Sequence, residues 1–165
     1  CPIYGTMGQS EASAPTRLAT RDVPLDTASL DDATTDLPFA EVKWEAAIDR
    51  VTSAATPRQL ERVPAGAIFR EGDGPAELLV FSFYERKDVG RFGDVLTALQ
   101  LVEDDFLGGQ GSRGSGKVAF RNLQVVCKGE DYDRPQVVAT GKSLQELLDQ
   151  KAKIAQELTA ALAFE

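Results

Sequence analysis

Apolar residues fall at helical spacing in two places along the chain. Phe92, Val95, Leu96, Leu99 and Val102 share one helical face, which predicts an amphipathic helix over this stretch. Leu144, Leu147, Leu148, Ile154, Leu158 and Leu162 make a second apolar face, and Ser143-Leu-Gln-Glu146 ahead of it fits a capping box, predicting a helix over 143–163. Elsewhere the period shortens. Ala76 to Tyr84 carries Leu79, Phe81 and Phe83 on one face and Leu78, Val80 and Tyr84 on the other, the pattern of a central strand buried on both sides. Lys117 to Val126 is rich in strand formers, and Thr16 to Val23 reads as a short strand. Residues 39–48 and 61–69 flank a polar connection ending in Thr56-Pro-Arg58, which predicts a long projecting hairpin. Residues 1–15, rich in Gly, Ser and Ala, read as loop, and 24–38, with Pro24 and Pro38, as a surface excursion.

From residue 61 the predicted order is strand, strand, helix, strand. That is the last two-thirds of a β-α-β-β-α-β arrangement, so the fold class expected is α+β, ferredoxin-like and partial. Residues 1–38 offer no candidate for the opening strand and helix. Because a sheet missing a strand exposes unpaired backbone, the chain is expected to be part of a larger or split protein.

A glycine-dense segment, Gly108-Gly-Gln-Gly-Ser-Arg-Gly-Ser-Gly-Lys-Val118, joins the first helix to the strand after it. Five glycines in nine residues leave the backbone bare enough to lie against a ligand, with its amides turned toward an anion. Gly111 to Lys117 fits the first seven positions of a nucleotide-binding P-loop, but Val118 stands where a magnesium-binding hydroxyl is required. The order of elements is also reversed, since a P-loop follows a strand and opens a helix. The remaining readings are a phosphate-backbone site and a flexible connection with an incidental Arg and Lys.

Composition narrows the chemistry. The 165 residues are 42% hydrophobic and contain no long apolar run, which suits one soluble core without a membrane span. There is no histidine, and Cys1 and Cys127 have no metal or disulfide spacing, so zinc hydrolysis and Ser-His catalysis are excluded within this chain. No secretory signal is visible, and a reducing cytoplasm is the expected compartment. The net charge of −8 is unevenly spread. Residues 22–36 hold Asp22, Asp26, Asp31, Asp32 and Asp36 without a cation, whereas residues 108–121 hold Arg113, Lys117 and Arg121 without an acid. Screening over about 10 Å makes the local balance decisive, so a defined phosphate site stays open.

Two long segments carry a resemblance. Glu41-Val-Lys-Trp-Glu-Ala-Ala-Ile-Asp-Arg-Val-Thr-Ser-Ala-Ala-Thr-Pro-Arg-Gln-Leu-Glu-Arg-Val-Pro-Ala-Gly66, followed by Leu101 to Val118, resembles the repeating backbone subunit of type III CRISPR effector complexes, of the RAMP superfamily. Cys1 to Gly8 and Pro15 to Asp22 resemble the segments ahead of them, whereas residues 127–165 match no motif. The resemblance implies a ferredoxin-like or RRM-like RAMP core and a thumb at residues 39–66 that distorts a guide RNA–target RNA duplex. It implies RNA contact by Lys43, Arg50, Arg58 and Arg62 in the thumb and by Gly108, Gly109, Gly111, Ser112, Arg113, Gly114, Gly116 and Lys117 in the loop. Guide pairing then supplies sequence specificity, and loop cations position the RNA without reading it.

The implied partners are CRISPR guide RNA, target RNA, neighbouring backbone subunits and other proteins of an antiviral effector complex. In family members that cleave target RNA with magnesium, the cutting aspartate lies upstream of the matching region, so no catalytic residue is assigned here. The alternative is a target-cleaving endoribonuclease subunit completed by that upstream segment, and a third reading is a protein-only scaffold. Tyr4 stands in the region where family members carry a second cysteine, and no metal site is assigned. Several residues keep two readings. Trp44 serves thumb packing or base stacking. Asp49 and Arg50 form a loop ion pair or face RNA, Glu103-Asp-Asp105 resembles a metal cluster but reads rather as a solvated helix end, and the C-terminal helix packs on this domain or docks on a neighbour.

Overall fold

A computed structural model describes residues 1–5, 15–30, 36–70, 72, 74, 76–129 and 133–162. The elements in order are β1 (Leu18–Thr20), β2 (Leu25–Asp26), β3 (Glu41–Ile48), β4 (Ala55–Arg62), β5 (Ile68–Phe69), β6 (Leu79–Phe81), α1 (Asp88–Asp104), β7 (Arg121–Cys127), β8 (Gln136–Ser143), α2 (Leu144–Asp149) and α3 (Lys151–Ala161). The fold is α+β, and among the described residues the strands form two-stranded antiparallel pairs: β1 with β6, β2 with β5, β3 with β4, β7 with β8. The chain divides into two compact units, Cys1–Thr20 with Leu79–Glu165, and Arg21–Leu78.

In the first unit the helices pack on the β7–β8 pair. Val89, Leu96, Cys127, Ala139, Leu147, Ile154 and Leu158 form the buried cluster, with Phe83, Phe92, Leu123 and Val125 half-buried against it. Each fully buried Leu or Ile contributes about 1.5–3 kcal/mol, so the apolar faces seen in the sequence are what fold these helices onto the sheet. The Ser143 hydroxyl accepts from the Glu146 amide, and the Glu146 carboxylate accepts from the Lys142 amide at 2.8 Å, so the predicted capping box forms one residue out of its usual register.

Three expectations in this unit are corrected. The single helix over 143–163 is two helices, α2 and α3, meeting at Gln150. The Gln150 side-chain amide donates to the carbonyls of Glu146 and Thr140, tying the junction to β8. The strand expected over Ala76–Tyr84 shrinks to Leu79–Phe81 and pairs with β1 alone among the described residues, rather than lying centrally. Its continuation is taken up by Asp88, whose carboxylate accepts the amides of Tyr84 and Glu85 at 2.9 and 3.0 Å, leaving them unavailable to a ladder. The strand expected from Lys117 starts at Arg121, because the Phe120 amide is held by the Glu103 carboxylate at 2.5 Å. β8 lay in a stretch to which the apolar pattern assigned no strand.

A buried ionic node fastens β1 to the start of α1. Asp88 is fully removed from solvent and accepts from Arg17 Nε at 2.9 Å and Arg91 Nη1 at 2.5 Å. Arg17 also donates to the Pro15 carbonyl at 3.0 Å and to Glu85 at 3.3 Å. Burial alone would raise the Asp88 carboxyl, but the Tyr84 amide, Arg91, the Glu85 amide and Arg17 together outweigh it and hold the group at about 2.

In the second unit the predicted hairpin forms over eight paired positions, from Glu41↔Arg62 to Ile48↔Ala55. Its second strand is earlier than expected. Ala55–Arg62 pairs, whereas of the expected 61–69 segment Ile68–Phe69 goes to β2. The turn is closed by Asp49, whose carboxylate accepts the amides of Val51 and Thr52 at 2.8 and 3.2 Å and lies below its ordinary value for that reason. Within the acidic segment Leu25–Asp26 is strand rather than bare excursion. Asp26 caps the turn at Thr27–Ser29 and pairs with Arg70 at 2.7 Å, while Asp31 and Asp32 lie outside the described residues.

Candidate nucleic-acid interface

The predicted RNA-contact residues fall in two groups, one in each unit, and each group has its own geometry. In the glycine loop, α1 ends in Glu103 and Asp104 with no basic residue in its last turn. The Lys117 ammonium crosses to that end and donates to the carbonyls of Glu103 and Asp104. The Leu107 amide donates to the Gly116 carbonyl at 2.8 Å, closing the neck of the loop. Within the neck Gly111–Arg113 makes one turn of 3-10 helix, entered through Gln110 and left through Gly114 in the left-handed region.

Two glycines here are sterically required. A Cβ on Gly116 would sit 2.3 Å from the Leu107 carbonyl oxygen at a φ of +83°, and one on Gly111 would enter the Phe106 ring. Gly108, Gly109 and Gly114 are different, because their open sides meet nothing within 4 Å. The loop therefore has a shaped base and a bare outer surface. Ser112 and Arg113 are exposed on the turn.

On the hairpin, strand alternation separates two faces. Glu41, Lys43 and Glu45 lie opposite Arg62, Leu60 and Arg58, and the carboxylates of Glu41 and Glu45 take Arg62 and Arg58, the latter at 3.1 Å. The other face presents Val42, Trp44, Ala46 and Ile48, with Trp44 64% and Ile48 68% exposed. Arg50 is exposed at the turn, next to Val51 at 92%. The Asp49 carboxylate is engaged by backbone amides, so its sequence reading as the partner of Arg50 gives way to turn closure.

Sequence reasoning missed the part of Glu103, Leu107 and Phe120 in holding the loop. Glu103 is neither a metal ligand nor a freely solvated helix end among the described residues: it is half-buried with its carboxylate on the Phe120 amide. No sequence spacing announces a side chain that bonds a backbone amide seventeen residues away. Among the described residues no three of Cys, Asp and Glu converge as a metal site, and no helix is long and apolar enough to cross a membrane.

No protein-family model matches the chain. It is similar to three curated proteins each named CRISPR system Cms endoribonuclease Csm3. The one from Methanocaldococcus jannaschii is 33% identical over 135 residues, covering 80% of this chain and 51% of the relative. Those from Streptococcus thermophilus and Methanothermobacter thermautotrophicus are 37% and 40% identical, covering 80% and 58% of this chain and 56% and 36% of the relatives. The chain thus spans about half the length of these relatives or less. It belongs with the Csm3-like subunits of type III CRISPR systems.

Proposed function

We propose that the chain is the guide-RNA-binding part of a backbone subunit in a type III CRISPR ribonucleoprotein that recognises complementary target RNA in antiviral defence. Its α+β elements then belong to a ferredoxin-like RAMP core working in the cytoplasm beside neighbouring backbone subunits. The observation that carries the reading is the glycine loop, with a braced base and the open sides of Gly108, Gly109 and Gly114 turned outward beside Arg113. A backbone of that kind accepts a sugar-phosphate chain without selecting bases. The hairpin over 39–66 acts as the thumb, and its apolar face around Trp44 and Ile48 meets bases. Arg58 and Arg62, held by Glu45 and Glu41, contribute less to phosphate attraction than the sequence suggested.

The test is the salt dependence of RNA affinity. Arg113→Ala weakens binding and flattens the slope of log K against log salt by about 0.7, one single-strand phosphate contact. Full chain that binds no RNA at low salt sinks the reading and leaves the scaffold alternative. The endoribonuclease name of the relatives favours a second reading, target cleavage by the complete subunit. It is tested by incubating that subunit with complementary RNA and magnesium. The described residues gather no acidic donor set for that ion, so no step is assigned to magnesium in this chain.

A further inference from the structure

We propose that Lys117 and Glu103 form an internal clasp that sets the shape of the glycine loop, with Lys117 a positioning residue rather than a phosphate ligand. The proposal rests on the reading of this loop as an RNA-binding surface. The last carbonyls of a helix lack intrahelical partners, and acidic residues there oppose the helix dipole. α1 has both problems, ending in Glu103 and Asp104 without a nearby base. Lys117, thirteen residues beyond Asp104, supplies the missing positive charge by donating to the two terminal carbonyls. Glu103 returns the link, its carboxylate accepting the Phe120 amide at 2.5 Å. The entry and exit of the loop are thereby tied across one helix end.

The neck between them is fixed by the Leu107 amide on the Gly116 carbonyl, at a position where no side chain fits. Two of the three ammonium donors of Lys117 are used in this way. Drawing that ammonium onto a phosphate would uncap α1 and release the loop it braces.

The experiment combines amide hydrogen exchange at Leu107 and Phe120 with polyuridylate affinity across a salt series, on the full chain. Lys117→Met is expected to speed exchange at both amides roughly tenfold or more, the equivalent of one charge-assisted hydrogen bond. Affinity falls while the salt slope stays unchanged, and Lys117→Arg restores both. Glu103→Ala also lowers affinity although it removes a negative charge. A slope reduced by about 0.7 in Lys117→Met with exchange unchanged overturns the clasp, because that is the signature of a lost phosphate contact. So does tighter binding by Glu103→Ala. Wild-type chain that fails to bind polyuridylate refutes the RNA reading alone, and the exchange rates still decide the clasp.

Discussion

Asp88 is the residue on which the first unit depends most. Removing one member of a buried ion pair costs about 3–5 kcal/mol, because the remaining charge is left without a partner out of water. Asp88→Ala leaves Arg17, which is only 6% exposed, with the half-exposed Glu85 carboxylate as its remaining ionic partner, so a loss toward the lower end of that range, about 3 kcal/mol, is expected in urea unfolding. The pH dependence has a definite sign. The folded-state carboxyl is lowered from 3.8 to about 2, so its stabilisation is complete above the unfolded value and disappears as pH falls between those values. Thermal midpoints of the wild type should drop through that window more steeply than those of Asp88→Asn. At Gly116 a different cost applies. Ala at its positive φ loses about 1–2 kcal/mol before the clash with Leu107 is counted, and faster exchange of the Leu107 amide will report it.

At the scale of elements, the hairpin separates stability from contact. Its cross-strand pairs are solvated, so Arg58→Ala should change stability by only about 0.2–1 kcal/mol. Trp44→Ala, on the exposed face, should leave stability within about 0.5 kcal/mol while weakening RNA binding by about 1–3 kcal/mol for one stacked base. A large stability loss with unchanged RNA affinity would assign Trp44 to packing instead. The helices were legible in the sequence because one face of each is buried, and burial writes a period into the residues. β4 was not, since Ala55–Arg62 is solvated on most of its length and solvation imposes no alternation. The shortening of β6 and the late start of β7 share one cause. In both, a carboxylate takes the backbone amides that a strand would need, Asp88 at one and Glu103 at the other. The glycine loop was visible as composition, but its clasp joins groups with no sequence pattern in common.

Across the whole molecule, large apolar side chains stand in solvent in both units, among them Ile68, Phe69 and Ile48 in one and Leu101, Leu107 and Val137 in the other. Singly exposed apolar residues are ordinary, but the contiguous face of Trp44, Ala46 and Ile48 on β3 is surface of the kind that meets other macromolecules. Sedimentation velocity should therefore show concentration-dependent self-association that excess RNA or partner subunits relieve, and an ideal monomer at all concentrations would count against the assembly role. Cys127 offers a way to time the motions of the first unit. It is buried in the core at the end of β7, and loss of solvation pushes its thiol above the ordinary range, whereas Cys1 is exposed. An alkylating reagent thus meets one sulfur at once and the other only when the core opens. Set against the rate for the same thiol in a short unprotected peptide, the slow Cys127 rate gives the opening equilibrium of this unit, residue-specific and without denaturant.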